Sequence, residues 1–449
     1  MLNKSKILPA EDELKSALIA LKTRYPNLGI AKTHALLLTT YPDWSVSEKR
    51  TRKVLQSEGL ILDTPSPQSG ADMVYPTSRL IPDLDIPRWT SKVQVKYFDK
   101  RKGKGLVATQ NIEEGELIWK EDPFVLAPEW KLFDLQESSA ACGFCSTPLD
   151  PTSPLTLSCP ASSSQAYCPV RFCNRLCLSR SAKHHPLLCP SQNPGSAPLM
   201  KVIRETRWMA LHALAQCTSR VLLAGQRSAE EEDRDWKTMT GFAELGMEER
   251  FKYSFSQTGM AEPDRESWKK AHNAYVHAFR SPKSPADQKA LAKILKKPVN
   301  PVIEKALFEY DGFLRGLGRM SLNLEAHGGL YTLHSHLNHS CTPNVSVRHN
   351  DRTSLSRIAM IAKRSIVTGE ELVVTYVNPE MDVRRRRQEL QAWGFGDCTG
   401  GAEGEFGCDV NGFDTCLVGL YTEPCVLFCE DVVSAIRAGA SPNESPSDL

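Results

Sequence analysis

The sequence predicts an α+β protein. A β-rich core is interrupted by a cysteine-rich segment and then by a run of helices, and a helical unit precedes it. Three observations carry this reading. Apolar residues recur at helical spacing within 11–60, and 199–325 reads as mostly helical. Short alternating stretches broken by glycine begin at 91 and return over 330–377. Eight potential metal ligands fall in the 48 residues from Cys142 to Cys189.

Composition bounds the rest. The chain has 449 residues, enough for about two to four domains. A net charge of +2 gives no global drive toward nucleic acid or membrane, so any such affinity must come from local patches. The opening residues, MLNKSKILPAEDELK, lack an apolar core of signal-peptide length. No apolar run reaches the ~18 residues that span a bilayer. The expectation is an intracellular protein, nuclear or cytoplasmic, with no membrane contact.

Residues 1–60 form the first unit. EDELKSALIALKTRYP sets Leu14, Leu18 and Leu21 at helical spacing and stops near Pro26. GIAKTHALLLTTYP repeats the pattern. SVSEKRTRKVLQSEGL opens with a capping box, Ser45 to Glu48, and ends at Gly59. Its basic run (Lys49, Arg50, Arg52, Lys53) reads either as a helix-turn-helix-like contact to DNA or as a solvated face. Solvated faces are common, so a small bundle or protein-docking unit is expected. Residues 61–90, rich in Pro and Ser, read as a linker.

The core spans 91–377. SKVQVKYF alternates as a strand does, and GKGLVATQNIEEGELIWKEDPFVLA gives short β segments around Gly103, Gly105 and Gly115. SQNPGSAP (191–198) reads as a hinge. The helical insert, 199–325, shows a polar break around 226–236. A helix begins at MDVRRRRQELQAWGF in the region 378–430, and the tail 431–449 is expected to be disordered.

The cysteine spacings are Cys142-x2-Cys145, Cys159, Cys168-x4-Cys173-x3-Cys177 and His185-x3-Cys189. Thiolates two or three residues apart reach one ion, and eight ligands suffice for two tetrahedral zinc sites. So small and loop-rich a segment needs metal to supply its folding energy. The pattern resembles a MYND-type zinc finger, here within 142–189. That resemblance implies two interleaved ions, one on Cys142, Cys145, Cys173 and Cys177, the other on Cys159, Cys168, His185 and Cys189. Eight residues separate Cys159 from Cys168, where the family usually has two. His184 competes with His185, and the gap to Cys189 favours His185.

LNHSCTPN (337–344) concentrates an amide, an imidazole, a hydroxyl and a thiol. A Cys–His nucleophile would need Cys341 and His339 in hydrogen-bond contact. Their spacing of two and the nearby Pro343 argue against it. A ligand-holding role has support from GKGLVA (103–108) upstream and GEELVVTY (369–376) downstream. This triplet, in this order, resembles the SET-domain protein-lysine methyltransferases, and a MYND-like finger inside it resembles their SET and MYND branch. The N-terminal unit and the WGF ending look most like the fungal SET domain-containing protein five group of histone-lysine methyltransferases.

The resemblance implies a threaded, knot-like segment at Asn338–Cys341 and S-adenosylmethionine as cofactor. Lys102, Gly103, Lys104 and Gly105 would meet it through backbone. Asn338 and His339 would hold its amino-acid and adenosine parts. Tyr376 would be the catalytic tyrosine. Tyr331 would line the lysine channel, and Phe395 would pack over cofactor or channel. A post-SET zinc would need Cys-x-Cys-x2-Cys, whereas only Cys398 and Cys408 lie nearby, so a third ion is not expected. The implied partner is a histone tail or nucleosome, histone H4 first, on chromatin in the nucleus, possible cytoplasmic residence included. The acidic stretches EEEDRD (230–235) and IEEGE (112–116) are candidates for a basic-tail groove, and Arg384–Arg387 for DNA. A monomer is expected, with peptide partners at the finger. The rival readings are a non-catalytic zinc-finger scaffold and a methyltransferase of non-histone proteins.

Overall fold

The computed structural model describes residues 7–25, 28–58, 60, 76–100, 102–253, 263–349, 354–378, 380–381, 386 and 389–390. They divide into two compact units, 1–73 and 74–449.

In the first unit, helices α1 (Glu11–Arg24), α2 (Ile30–Thr40) and α3 (Glu48–Ser57) bury Leu14, Leu18, Leu37 and Leu55 completely. The capping residue of α3 is Ser47, whose hydroxyl accepts from Arg50 N at 3.3 Å, and not Ser45 as expected. Ser45 N donates to Ile7 O at 2.8 Å, which holds it extended and delays the helix. Arg50 leaves the basic face to donate to Pro9 O at 3.0 Å, while Lys49, Arg52 and Lys53 stay exposed.

In the second unit, β1 (Val93–Asp99) and β2 (Gly103–Ala108) form a hairpin. β3 (Leu117–Glu121) and β4 (Val125–Leu126) follow. The finger region holds α4 (Trp130–Glu137), β5 (Leu157–Ser158), β6 (Arg171–Phe172), α5 (Arg175–Ser181) and α6 (His185–Leu188). The insert comprises α7 (Ala197–Thr206), α8 (Met209–Arg227), α9 (Ala229–Gly241), α10 (Met247–Tyr253), α11 (Arg265–Phe279), α12 (Pro285–Ile294), α13 (Pro301–Phe308) and α14 (Tyr310–Asn323). The chain then returns through β7 (Gly329–Leu330), β8 (Asn338–His339), β9 (Val345–Arg348), β10 (Ile358–Ala362) and β11 (Glu371–Val374).

Among the described residues the strands form four small sheets, β1-β2-β11-β8, β3-β10-β9, β4-β7 and, in the finger, β5-β6. β11 runs antiparallel to β2 but parallel to β8, pairing Val373 with Asn338 and Val374 with His339. All of β2 is buried because it lies between β1 and β11. The glycine motif, the Asn338–His339 pair and the approach to Tyr376 therefore share one sheet.

Three expectations are corrected. Residues 191–198 are no hinge: Asn193 and Ser196 are fully buried, and Asn193 Nδ2 donates to Leu187 O at 2.8 Å and Ala278 O at 3.0 Å. The polar stretch at 226–236 is no break in helicity beyond one residue. Ser228 caps α9 through Glu231 N at 3.1 Å, and the three glutamates after it sit in the first turn, where acids offset the helix dipole. Within the expected linker, residues 76–90 pack on the core: Thr77 pairs with Glu244, and Ile81 is buried. Residues 61–75 lie outside the described residues, as do the tail, Phe395, and every cysteine beyond Cys341.

Candidate active site and metal centres

The eight finger ligands gather into two groups, each with its atoms within 4.8 Å of one another. One holds Cys142, Cys145, Cys173 and Cys177, the other Cys159, Cys168, His185 and Cys189. Cys145–Cys173 and Cys173–Cys177 sulfurs lie 3.8 and 3.4 Å apart, Cys159–Cys189 3.8 Å. His185 Nε2 lies 3.4 Å from Cys159 and 3.7 Å from Cys168. No disulfide joins any of them. A tetrahedron with zinc–sulfur bonds of ~2.3 Å has edges of roughly 3.8 Å, so these spacings suit an ion and not a disulfide.

The eight-residue spacer behind Cys159 folds back on itself. Ser163 N donates to Ala166 O at 2.9 Å, Cys168 N to Ser162 Oγ at 3.0 Å, and Cys159 and Cys168 meet. His184 stays out of the group. It stacks on Phe144 at 5.9 Å, and burial lowers its pKa to about 3.

The second site is built from β2, β8 and β11. Gly103 sits at φ +73°, where a Cβ would meet Ser78 Oγ at 2.4 Å. At Gly105 a Cβ would lie 2.5 Å from Phe98, 2.9 Å from Asn338 Nδ2 and 3.0 Å from Glu371 Oε1. Asn338 Nδ2 donates to Lys104 O at 3.0 Å and Glu371 Oε1 at 2.8 Å, which pins the glycine motif to β8. Lys102 Nζ pairs with the same Glu371 and lies 4.4 Å over the Phe98 ring. The Lys104 side chain turns inward. Its ammonium donates to Gly241 O at 2.6 Å, the last residue of α9, and burial lowers its pKa to about 7.

His339 Nδ1 accepts from Tyr376 N at 3.0 Å. Burial first, then the Arg386 charge, lowers its pKa to about 4, so the ring is neutral and its proton sits on Nε2. That nitrogen lies 3.5 Å from Cys341 Sγ. The two side chains do approach each other, despite the spacing of two and the nearby Pro343. The chemical conclusion stands on other grounds: an Nε2 that carries the proton cannot take one from the thiol.

The Tyr376 hydroxyl donates to Leu337 O. Burial, then the charges of Glu325 and Glu371, push its pKa up, so it stays protonated. Tyr331, expected in a channel wall, presents no accessible surface; its hydroxyl donates to Ser356 O and meets His327 Nε2 at 2.7 Å. The acids of 230–235 are largely engaged: Asp235 with Arg220 at 3.0 Å, Glu231 with Arg227 at 2.6 Å, Asp233 with Lys237 at 2.6 Å. Arg386 is buried, while Arg384, Arg385 and Arg387 lie outside the described residues. The sequence reading missed Glu371, although GEEL contains it, and Glu325 and Lys104 Nζ, which no motif singles out.

Residues 103–377 match the SET domain family model. The chain belongs to the SET-domain family. Its class is that of S-adenosylmethionine-dependent protein-lysine methyltransferases. Similar proteins are named Histone-lysine N-methyltransferase SET5. The one from Mycosarcoma maydis is 30% identical over 87% of this chain and 82% of its own length. The Yarrowia lipolytica protein is 32% identical over 83% and 76%, and the Candida albicans protein 29% over 87% and 80%.

Proposed function

We propose that this chain methylates lysine side chains of histone tails, the N-terminal tail of histone H4 first, on chromatin. The observation that supports it most is the convergence on one sheet of Lys102–Gly105, Asn338, His339 and Tyr376. The names of its relatives supply the substrate class.

S-adenosylmethionine supplies a methyl group on a positively charged sulfur. The glycines let backbone approach it closely, and Lys102–Gly105 would meet it through backbone, with the Lys102 side chain paired to Glu371. Asn338 and His339 hold the amino-acid and adenosine parts. Tyr376 orients the transferred group with its hydroxyl. It serves as no base, since burial keeps it protonated. The protein's part is alignment of two reactants and exclusion of water. Zinc fits the two finger sites by donor set and spacing, and its role is structural.

Purified protein incubated with radiolabelled cofactor and core histones tests this. Label is expected on histone H4 and reduced about 100-fold in Tyr376→Phe, which loses the positioned hydroxyl. Label on another histone would correct the substrate. Cofactor binding without histone labelling would move the activity to non-histone proteins. Absence of both would overturn the proposal. Elemental analysis should find about two zinc ions per chain.

A further inference from the structure

A cluster of buried ionisable groups lies outside the motifs used so far. Glu325, between α14 and β7, has Oε1 3.3 Å from His334 Nε2. That nitrogen makes no well-aligned hydrogen bond. His334 packs edge-on to Tyr331, with ring centroids 6.0 Å apart. His327 meets the Tyr331 hydroxyl, and its ring lies 3.9 Å from that of His349.

The two carboxylates of this cluster differ in kind. Glu121 is closed in at 2% exposure and accepts from Leu333 N at 2.8 Å, His334 N at 3.0 Å and Trp119 Nε1 at 3.2 Å. Glu325 keeps 11% of its side chain accessible, and an imidazole edge, not a set of N–H donors, faces it. His334 opens the short turn His334–His336, Leu337 N donates to His334 O at 2.9 Å, and Leu337 O accepts from the Tyr376 hydroxyl, so the Glu325–His334 pair lies one turn from the catalytic tyrosine's anchor. Glu371 is already tied to Asn338 and Lys102, the residues assigned to the cofactor.

We propose that Glu325, backed by His334, receives the ammonium group of the substrate lysine and holds the proton it must lose before methyl transfer. This rests on the lysine-methylation reading above. The lysine ammonium passes one proton to the Glu325 carboxylate and becomes a neutral amine. The amine lone pair then forms the N–C bond as the C–S bond breaks, and that electron pair stays on sulfur as a thioether. The product leaves as a methylated ammonium, and the proton held on Glu325 passes to solvent, which resets the carboxylate.

The charged and titratable neighbours support the assignment. Burial raises Glu325 to about 7, a suitable value for a proton acceptor near neutrality. His334 and His349 are lowered to about 4 by burial, and His327 and His336 lie well below their usual value, so all four are neutral. Glu121 and Lys104 also come to about 7, but both are closed to solvent at 2% and 3% exposure.

The test compares wild type, Glu325→Gln and Glu325→Asp, first by binding. Calorimetry of a lysine peptide in two buffers of different ionisation heat should show release of roughly half a proton near neutrality in wild type. None is expected with a norleucine peptide, or with Glu325→Gln. Proton release unchanged in Glu325→Gln would overturn the proposal whatever the activity. In turnover, Glu325→Gln should lose about 100-fold in kcat near neutrality. The deficit should shrink toward alkaline pH, and with aminoethylcysteine in place of lysine, whose amine deprotonates more readily. Glu325→Asp should recover part of the neutral-pH rate. A loss equal at every pH and for both amines would overturn it. If wild type labels no lysine at all, the methylation reading fails, and the calorimetry still decides whether Glu325 meets an ammonium. Cofactor affinity, expected unchanged, and a single cooperative melting transition verify that each variant folds.

Discussion

Between Cys142 and Cys189 the principal buried cluster consists of Phe172 and six cysteines. The insert that follows it buries Trp268, Tyr275, Phe279 and Phe313 in one continuous core. Both segments interrupt the same β framework, yet one has almost no carbon core and the other needs nothing else. A segment of some 48 residues with 2-residue strands cannot bury enough apolar surface to order itself. Sulfur donors held at tetrahedral spacing take that role, and the difference can be broken experimentally.

The largest effect should come from metal removal. Structural zinc contributes roughly 10 kcal/mol or more per site to small domains. Chelation is therefore expected to release amide exchange across 142–189 while α8 and α14 stay protected. Equal loss in both regions, or none in the finger, would erase the distinction. Next is Trp268→Ala in the insert, expected to lower stability by about 3–5 kcal/mol in urea unfolding with zinc content unchanged.

The β framework offers a pH test. Burial raises Glu121 from 4.5 to about 7. The folded state thus binds the extra proton between those values, so the stabilisation is complete below about 4.5 and lost as pH rises through about 7. The span corresponds to about 3 kcal/mol. Melting of Glu121→Gln should lack this decline. Asn193→Leu, which removes two buried hydrogen bonds at the corner between finger and insert, should cost about 2 kcal/mol. Smallest is Ser228→Ala at the head of α9, about 1 kcal/mol in thermal unfolding.

Spacing made the finger and the sheet motifs legible, because chemistry with few geometric solutions leaves a pattern in sequence. Cys142 to Cys189 and the order of GKG, NHSC and GEEL are of that kind. Composition misled at 191–198, where Pro, Gly, Ser and Asn suggested a hinge. Asn193 is polar but fully bonded inside, and no pattern announces a partner 85 residues away. The acids near 230 looked like a loop because first-turn glutamates and a serine cap imitate one. Glu325 was invisible for a related reason: its meaning depends on His334, which only folding turns toward it. Tyr331 was read from its motif as a wall residue, and packing closed it instead.

The Lys104 ammonium on the end of α9 makes the insert a poor interchangeable cassette. The strand that carries the glycine motif is fastened to that helix by the lysine between its two glycines. A chimera that exchanged 199–325 for a relative's helices would have to provide a carbonyl at the height of Gly241, or the graft would leave a buried cation with nothing to hold.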